Sequence, residues 1–554
     1  MPATLFTNGR IFQSGVRPGT NAGLHGEPTF AESLLVRGDV IEYVGPASEL
    51  PPAADDDTVT VRDLSGRTVL PGFVDGHMHL MLLGQSLNKL DLGACTSLRD
   101  IQAAIRAHAA ADPDAPRILC RNWMHSMTDP TGGVSAADLD TLDDAARPIF
   151  VDSKDLHSTW CSSSALAELG AEAWPPVPGG KAERDGDGRL TGVISEAANF
   201  TYVWPHLAQA AAMADRVAAI KAAVAAYHAA GYTGLIDMAM DEGSWEALQA
   251  LQAADSRIPM RIAAYWLIRP GQSDAEHAAQ VDRAIELARA HDAASSPDCR
   301  VVGIKVICDG VVDACTAGLS EPYTHNGANV YPTWTAAQLA PVVQRADAAG
   351  LQVAIHAIGD ATVTAAADVL TAHASPVRRP RVEHVELASA ADAARLGAAR
   401  ITASVQPVHA DPAILRAWPA LLGASRCGRA FAYRELADAG APLALGSDAP
   451  TAPHSPLGNV YVGTTRKSFR DPAALDQPVN PHFALGLCEA VAAATEGAAY
   501  SCFDDGRIGV LKKGHKADFV LVDMQWDCEK LLEARTVETW FAGEKVWAAE
   551  AEAE

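Results

Sequence analysis

The sequence predicts an α/β protein built on a closed parallel TIM (β/α)8 barrel, with a small β-sandwich contributed by the two termini. Three observations carry this expectation. Eight short apolar strands alternate with alanine-rich helices, both ends of the chain hold similar hairpin-spaced β runs, and His or Asp stands at several strand tips. Strands alternating with helices are the pattern of a parallel sheet wrapped in helices, and eight such units close a barrel. An open doubly wound sheet is the rival arrangement.

In chain order, the N-terminal β runs are Leu5–Phe12, Ser33–Val36, Val40–Val44, Thr58–Val61 and Thr68–Leu70. The tail repeats the style with Ala517–Val522, preceded by Gly514, then Val537–Phe541 and Lys545–Trp547. A sandwich over residues 1–70 plus 505–554 follows, flanking a barrel over 71–504. The barrel strands are read at Gly72–Asp75, Gly234–Met238, Met260–Trp266, Val301–Ile307, Leu351–Ile355, Arg381–Val385, Ile401–Val405 and Pro442–Gly446. Helices fill the gaps at Ala210–Ala230, Asp274–Ala290, Thr335–Ala349, Thr362–Ala374 and Ser389–Leu396. Roughly 150 residues separate the first strand from the second, against about 30 to 50 between most later ones. Since such a barrel needs about 250 residues, the excess reads as an inserted subdomain over 81–227. It follows the C-terminal end of a strand, so it is expected to cover the barrel mouth.

Composition narrows the function classes. Over 554 residues, 48% hydrophobic and 20% charged side chains describe a globular chain with a large core. A net charge of −24, from 44 basic and 68 acidic residues, argues against a nucleic-acid or anionic-membrane partner. The N-terminus shows no secretory pattern, and no apolar run reaches spanning length. Ten cysteines without a CxxC pair read as reduced thiols in a cytoplasmic protein, neither a zinc ribbon nor a disulfide framework.

The chemistry-bearing signal is Asp75-Gly76-His77-Met78-His79, directly after the apolar Val69–Val74. Alternate residues of an extended segment share a side, so His77 and His79 project together. Converging imidazoles suit Zn²⁺ or a similar borderline metal. His356 follows Val353-Ala354-Ile355, His384 follows Arg381-Val382-Glu383, and Asp448 follows Leu443–Ser447. Barrel active sites are built at such tips. Any one of these histidines alone reads more simply as structural; together they point to a metal site.

These stretches resemble the amidohydrolase superfamily, and most closely its family 3, the YtcJ-like hydrolases related to N-substituted formamide deformylase. The resemblance runs over nearly the whole chain. It is carried by Pro71–His79, Gly303-Ile304-Lys305-Val306 with Asp309-Gly310, and His356-Ala357-Ile358-Gly359-Asp360-Ala361. Glu383-His384, Val405-Gln406-Pro407, Gly446–Pro450 and the tail Gly509–Asp518 complete it. It implies that His77 and His79 bind the more buried of one or two divalent metals, and His356 and His384 the outer one. Asp448 would touch a metal and accept a proton. Lys305 stands where relatives place a bridging ligand, often a carbamylated lysine; plain lysine is protonated at neutral pH and ligates poorly. The alternative is an unmodified Lys305 paired with Asp309 or Asp448 at a one-metal site. The family also implies a small-molecule substrate and a homodimer.

A Lewis-acidic metal there lowers the pKa of bound water from near 16 to about 7. Asp448 would take the proton and return it to a leaving amine, while Glu383 or Asp360 orients imidazoles. Cleavage of a non-peptide C–N bond in an amide or formamide is the expected reaction. A lactone, ester or carbamate hydrolase on the same site is the alternative, and a non-catalytic scaffold a further one. In the insertion, Arg121-Asn122-Trp123-Met124-His125 and Asp152–Trp160 offer substrate-facing residues. The second stretch departs from the family's usual Gly before the histidine and Asn five residues after it, with Leu156 and Ser162 there. His157 is expected in the pocket. Trp123 and Trp160 belong either to the pocket or to the subdomain core. Gln406 and His409 either line the mouth or serve as a strand-end cap and a solvated side chain.

Overall fold

The computed structural model describes residues 2–13, 28–55, 58–124, 127–128, 133–143, 145–154, 156–177, 180–196, 198–255, 257–471 and 477–550. These divide into two compact units. One comprises Met1–Leu80, Val224–Asp241 and Leu251–Glu554, the other Met81–Ala223 and Glu242–Ala250.

The first unit holds an eight-stranded parallel barrel. Its strands are β1 (Phe73–Met78), β2 (Tyr232–Met240), β3 (Arg261–Ile268), β4 (Cys299–Ile307), β5 (Gln352–Ala357), β6 (Arg381–His384), β7 (Thr402–Val405) and β8 (Leu443–Leu445). Each pairs in parallel with the next, from β1 through β8. Where β8 comes round to β1, two glycines face each other. A Cβ on Gly76 would stand 2.6 Å from Leu445 O, and one on Gly446 would stand 2.4 Å from His77 N. Only residues without a Cβ let the two backbones approach so closely.

The helices between strands start where the sequence supplies caps. Ser273 accepts from Glu276 N ahead of Asp274–Ala290. Thr335 with Gln338, and Ser389 with Asp392, form reciprocal capping boxes. The helices therefore begin at Ala336 and Ala390, one residue later than expected, because a capping hydroxyl sits outside the helix it caps.

Both termini build the sandwich. One sheet runs Val40–Gly45, Ser33–Arg37, Ala3–Thr7, Val59–Asp63. The other runs Glu544–Ala548, Arg535–Phe541, Phe519–Asp523, Thr68–Pro71, Arg10–Gln13, Thr29–Ala31. The expected run Leu5–Phe12 is split between the two sheets, because Asn8 takes a left-handed φ of 54° and turns the chain. Phe6 from the first sheet meets Phe519 and Trp540 from the second edge-on, at 5.3 and 5.2 Å between ring centres.

The second unit carries a mixed six-stranded sheet in the order Gly180–Arg184, Leu190–Glu196, Ser158–Cys161, Ile149–Ser153, Ile118–Trp123, Leu90–Asp91. Ile101 and Ile105 of helix Leu98–Ala111 join its core. Among the described residues, no helix is long and apolar enough to cross a membrane.

Candidate active site

Strand alternation places His77 and His79 at the C-terminal end of β1, and Asp75 below them on the same strand. Asp75 ties β1 to the chain after β8. It accepts from Ser447 N at 2.8 Å, Ser447 Oγ at 2.5 Å, Tyr227 OH at 2.8 Å and His77 N at 3.2 Å. Burial pushes its carboxyl up to about 6 against those donors.

Two candidate ligand positions break the rules of regular strands. His384 follows the inward Glu383, so alternation alone would turn its ring outward. A φ of 74° at His384, continued by 53° at Val385, turns it back. Its ring lies 4.8 Å from that of His77 and 4.4 Å from that of His356. Asp448 has a φ of 56° and donates its N–H to His77 O at 2.6 Å. Non-glycine residues held in this region store strain that surrounding structure must sustain, a pattern of functional sites.

Beneath the histidines lies an ionic interior. Glu383 Oε2 accepts from His77 Nδ1 at 2.7 Å. Arg381, fully buried, donates to Glu383 Oε1 at 2.8 Å, Ser404 Oγ at 2.9 Å, Ser501 Oγ at 3.0 Å and Gly76 O at 2.7 Å. Burial alone would raise the Glu383 carboxyl, but Arg381 and His77 hold it far below the carboxylate range.

That pairing decides what His77 presents to the site. A carboxylate only accepts, so Nδ1 carries the ring proton and Nε2 is left as a lone pair. His77 Nε2 lies 3.5 Å from Asp448 Oδ1, and His79 Nε2 lies 3.1 Å from the same oxygen. Burial, reinforced by the Lys305 charge, pushes the His77 imidazole down to about 3, and burial drives His384 well below its usual range. Burial would raise Asp448, but the imidazoles of His77 and His79 hold it well below the usual range. The His77 Nε2 lone pair and Asp448 Oδ1 thus face one another, with His79 Nε2 beside the same oxygen. His384 Nδ1 and His356 Nε2 are buried without a hydrogen bond. Imidazole nitrogens and a carboxylate converging in this way fit a cation. Among the described residues, two groups have ligand atoms mutually within 4.8 Å: His77, His79 and Asp448, and separately His384, Glu386 and His409.

Lys305 lies on β4, fully buried, and burial draws its amine down to about 8. Asp309 is committed elsewhere. It accepts from Ile358 N, Gly359 N and Gly318 N at 3.1, 2.9 and 3.0 Å, and its Oδ1 lies 3.3 Å from His356 Nε2. Asp360, expected as a possible orienter, instead bonds Ser320 at the start of its helix. Glu386, which sequence reasoning did not single out, accepts from His409 Nδ1 at 3.2 Å. Its only sequence signal is its place two residues after His384. His409 is not a solvated side chain: its ring stacks on His384 at 5.9 Å, and its Nε2 lies 3.6 Å from Asp448 Oδ2. Gln406 is 1% exposed, with both amide atoms lacking a partner, so it is no strand-end cap.

In the second unit, Trp123 and Trp160 are 0% exposed, 5.5 Å apart, amid Leu92, Ile105, Ile149 and Val151. This corrects the pocket expectation for both tryptophans: their rings are enclosed by the core, and Trp160 Nε1 donates to Ser135 O at 2.8 Å. His157 is partly buried, with Nδ1 2.9 Å from Glu196. His125 lies outside the described residues.

A parallel barrel with imidazoles, a lysine and an aspartate gathered at the carboxyl ends of β1, β4, β5, β6 and beyond β8 defines a metal-dependent hydrolase. Residues 60–547 match the amidohydrolase family, and the chain belongs to it. YtcJ of Bacillus subtilis (strain 168) is 27% identical over 506 residues, covering 89% of this chain and 90% of its own. The N-substituted formamide deformylase of Arthrobacter pascens is 26% identical over 545 residues, 93% of this chain and 94% of its own. The crystal structure of an uncharacterized metal-dependent hydrolase from Pyrococcus furiosus, 23% identical, matches the fold with a TM-score of 0.73 over 95% of this chain and 99% of that one.

Proposed function

We propose that the protein hydrolyses a non-peptide C–N bond of an amide or N-substituted formamide with water activated at zinc. The observation that carries the reading is the lone pair of His77 Nε2 facing Asp448 Oδ1 at 3.5 Å, with the tautomer set by Glu383. His77, His79 and Asp448 would hold one ion, and His356 with His384 a second, with a carbamylated Lys305 between them. The metal supplies Lewis acidity and a water of pKa about 7. Asp448, whose carboxylate a bound metal would keep ionised, takes the proton of the attacking water and returns it to the leaving nitrogen. His409, braced by Glu386, stands beside the other Asp448 oxygen and limits its rotation. Likeness to the deformylase supports the choice of bond.

Metal analysis of the purified protein, followed by a panel of N-formyl, N-acyl and lactone compounds, tests this reading. Zinc bound per chain and release of free amine are expected. Full activity after metal is stripped would overturn the metal reading, and cleavage of lactones alone would overturn the choice of bond.

A further inference from the structure

At the amino-terminal ends of β4 and β5, on the face of the barrel opposite the candidate active site, lies a cavity of about 300 Å³. Its apolar wall is made by Ile285 and Ala288 of the helix Asp274–Ala290, Val302 near the start of β4, Leu351 just before β5, and Phe503. All of these belong to the first unit. Lys305 lies four residues beyond Val301 on the same strand, about 13 Å away at the rise of an extended chain. The cavity is therefore a separate place from the metal ligands.

Three arginines line it, Arg289, Arg300 and Arg378, against one carboxylate, Asp292. Arg300 is committed to the fold: it donates to Cys502 O at 2.9 Å and pairs with Asp504 at 3.0 Å. Arg379, next to Arg378 in sequence, is committed as well, pairing with Asp505 at 2.7 Å and lying 4.9 Å over the Phe503 ring. Among the described residues, Arg289 and Arg378 make no ion pair and no side-chain hydrogen bond. Asp292 answers neither of them. Its Oδ1 accepts from Ala294 N and Ser295 N at 2.9 and 2.8 Å and closes its own turn. The Arg378 guanidinium lies against the loop that leads into β5, since a Cβ on Gly350 would stand 3.5 Å from its Nη2. A basic residue in the last turn of a helix complements the helix dipole, which accounts for Arg289. It does not account for a second unanswered guanidinium on the same apolar cavity, in a chain of net charge −24.

We propose that this cavity binds a small carboxylate with an apolar body, at a site separate from the reaction centre. The apolar body would fill the space against Phe503, Val302 and Ile285, and the carboxylate would meet Arg378 and Arg289. A guanidinium presents paired N–H donors that match two carboxylate oxygens, and the local positive field draws an anion to a surface otherwise acidic. The volume stands at the lower end of small-molecule pockets, about 300–1,000 Å³, so the ligand is compact.

Phenylacetate is the probe, titrated calorimetrically into the metal-loaded protein. Phenylacetamide keeps its shape without the charge, and inorganic phosphate keeps a charge without the apolar body. Phenylacetate is expected to bind about tenfold or more tighter than either. Arg378→Gln and Arg289→Gln should each weaken it about tenfold, and Ala288→Leu, which fills the cavity, should do so without touching a charge. Metal content should stay unchanged in all three variants, and phenylacetate should still bind after the metal is stripped. A variant that fails to fold leaves the other two to decide. Equal binding of acid and amide, phosphate binding as tightly as phenylacetate, or no binding at millimolar concentration overturns the site. So does an affinity that survives either arginine change or the filling of the cavity. An affinity that disappears with the metal would place the acid at the metals and overturn it too.

Discussion

Replacing Glu383 by Gln isolates the ionic support beneath the proposed metal site. The change keeps the shape and leaves an oxygen able to accept from His77 Nδ1, but it removes the charge that now meets Arg381 at 2.8 Å and His77 at 2.7 Å. Loss of a supporting partner behind a histidine ligand weakens metal binding 10–100-fold; with an acceptor retained, the expected loss is about tenfold, or ~1.4 kcal/mol. Folding stability should suffer more. Arg381 is 0% exposed and loses its counter-charge, a change worth about 3–5 kcal/mol. Its bonds to Ser404, Ser501 and Gly76 O survive, which favours the lower end. Urea unfolding of the metal-free protein reads the stability, and chelator competition reads the affinity. A double variant, Arg381→Met with Glu383→Gln, removes both charges, so it should recover stability while metal affinity stays low. A single variant with wild-type stability and affinity, or a double variant with restored affinity, would refute the reasoning.

Three further outcomes are expected. Burial of Lys305 raises the share of neutral amine, the form that captures carbon dioxide, so native mass spectrometry should show one carbamate that disappears in Lys305→Ala. Short carboxylic acids should partly restore metal binding to that variant; a bare ammonium in the metal-loaded wild type would contradict this. Gly446→Ala forces a methyl to within 2.4 Å of His77 N. It should destabilise the protein by about 1–3 kcal/mol and weaken metal binding, as melting and chelator titration would reveal. Without metal, His77 stays neutral in the folded chain down to about 3 but protonates near 6.5 when unfolded, and His384 is shifted the same way. Between those pH values the unfolded chain binds more protons, so stability falls as pH is lowered through that window. Melts at a series of pH values should show this and should flatten in His384→Asn; a flat wild-type profile would remove the basis for buried neutral histidines.

The barrel and the convergence of His77 and His79 were legible because they rest on periodicity: alternation sends His77 and His79 to one side whatever the rest of the chain does. The placement of both Glu383 and His384 in the site was half legible. The same alternation allows only one of two neighbours inside, and nothing in the residue types announces the left-handed backbone that brings in the second. Acids defined by their partners were the hardest to assign. Asp309 serves three backbone N–H groups and Glu386 serves His409, pairings that exist only once β4, β5, β6 and β7 are neighbours. Trp123 and Trp160 were ambiguous because a large aromatic ring suits a core as well as a pocket, and only burial separates the two.

The glycine-lined seam between β1 and β8 has a consequence for synthesis. The bond from Ser447 N to Asp75 spans 372 residues, and Asp448 reaches His77 only across that junction. A growing chain that has already made His77 and His79 therefore lacks the carboxylate that would complete the proposed ion site until almost the whole barrel has been translated. Premature capture of an ion is disfavoured, since two imidazoles alone make a poor trap. Once the ring shuts, an ion held across the join at the proposed site would act as a clasp. At a free metal concentration of about 1,000 times Kd it would hold the closed form by about 4 kcal/mol. Metal supply would then govern how long the finished enzyme lasts as well as how fast it works.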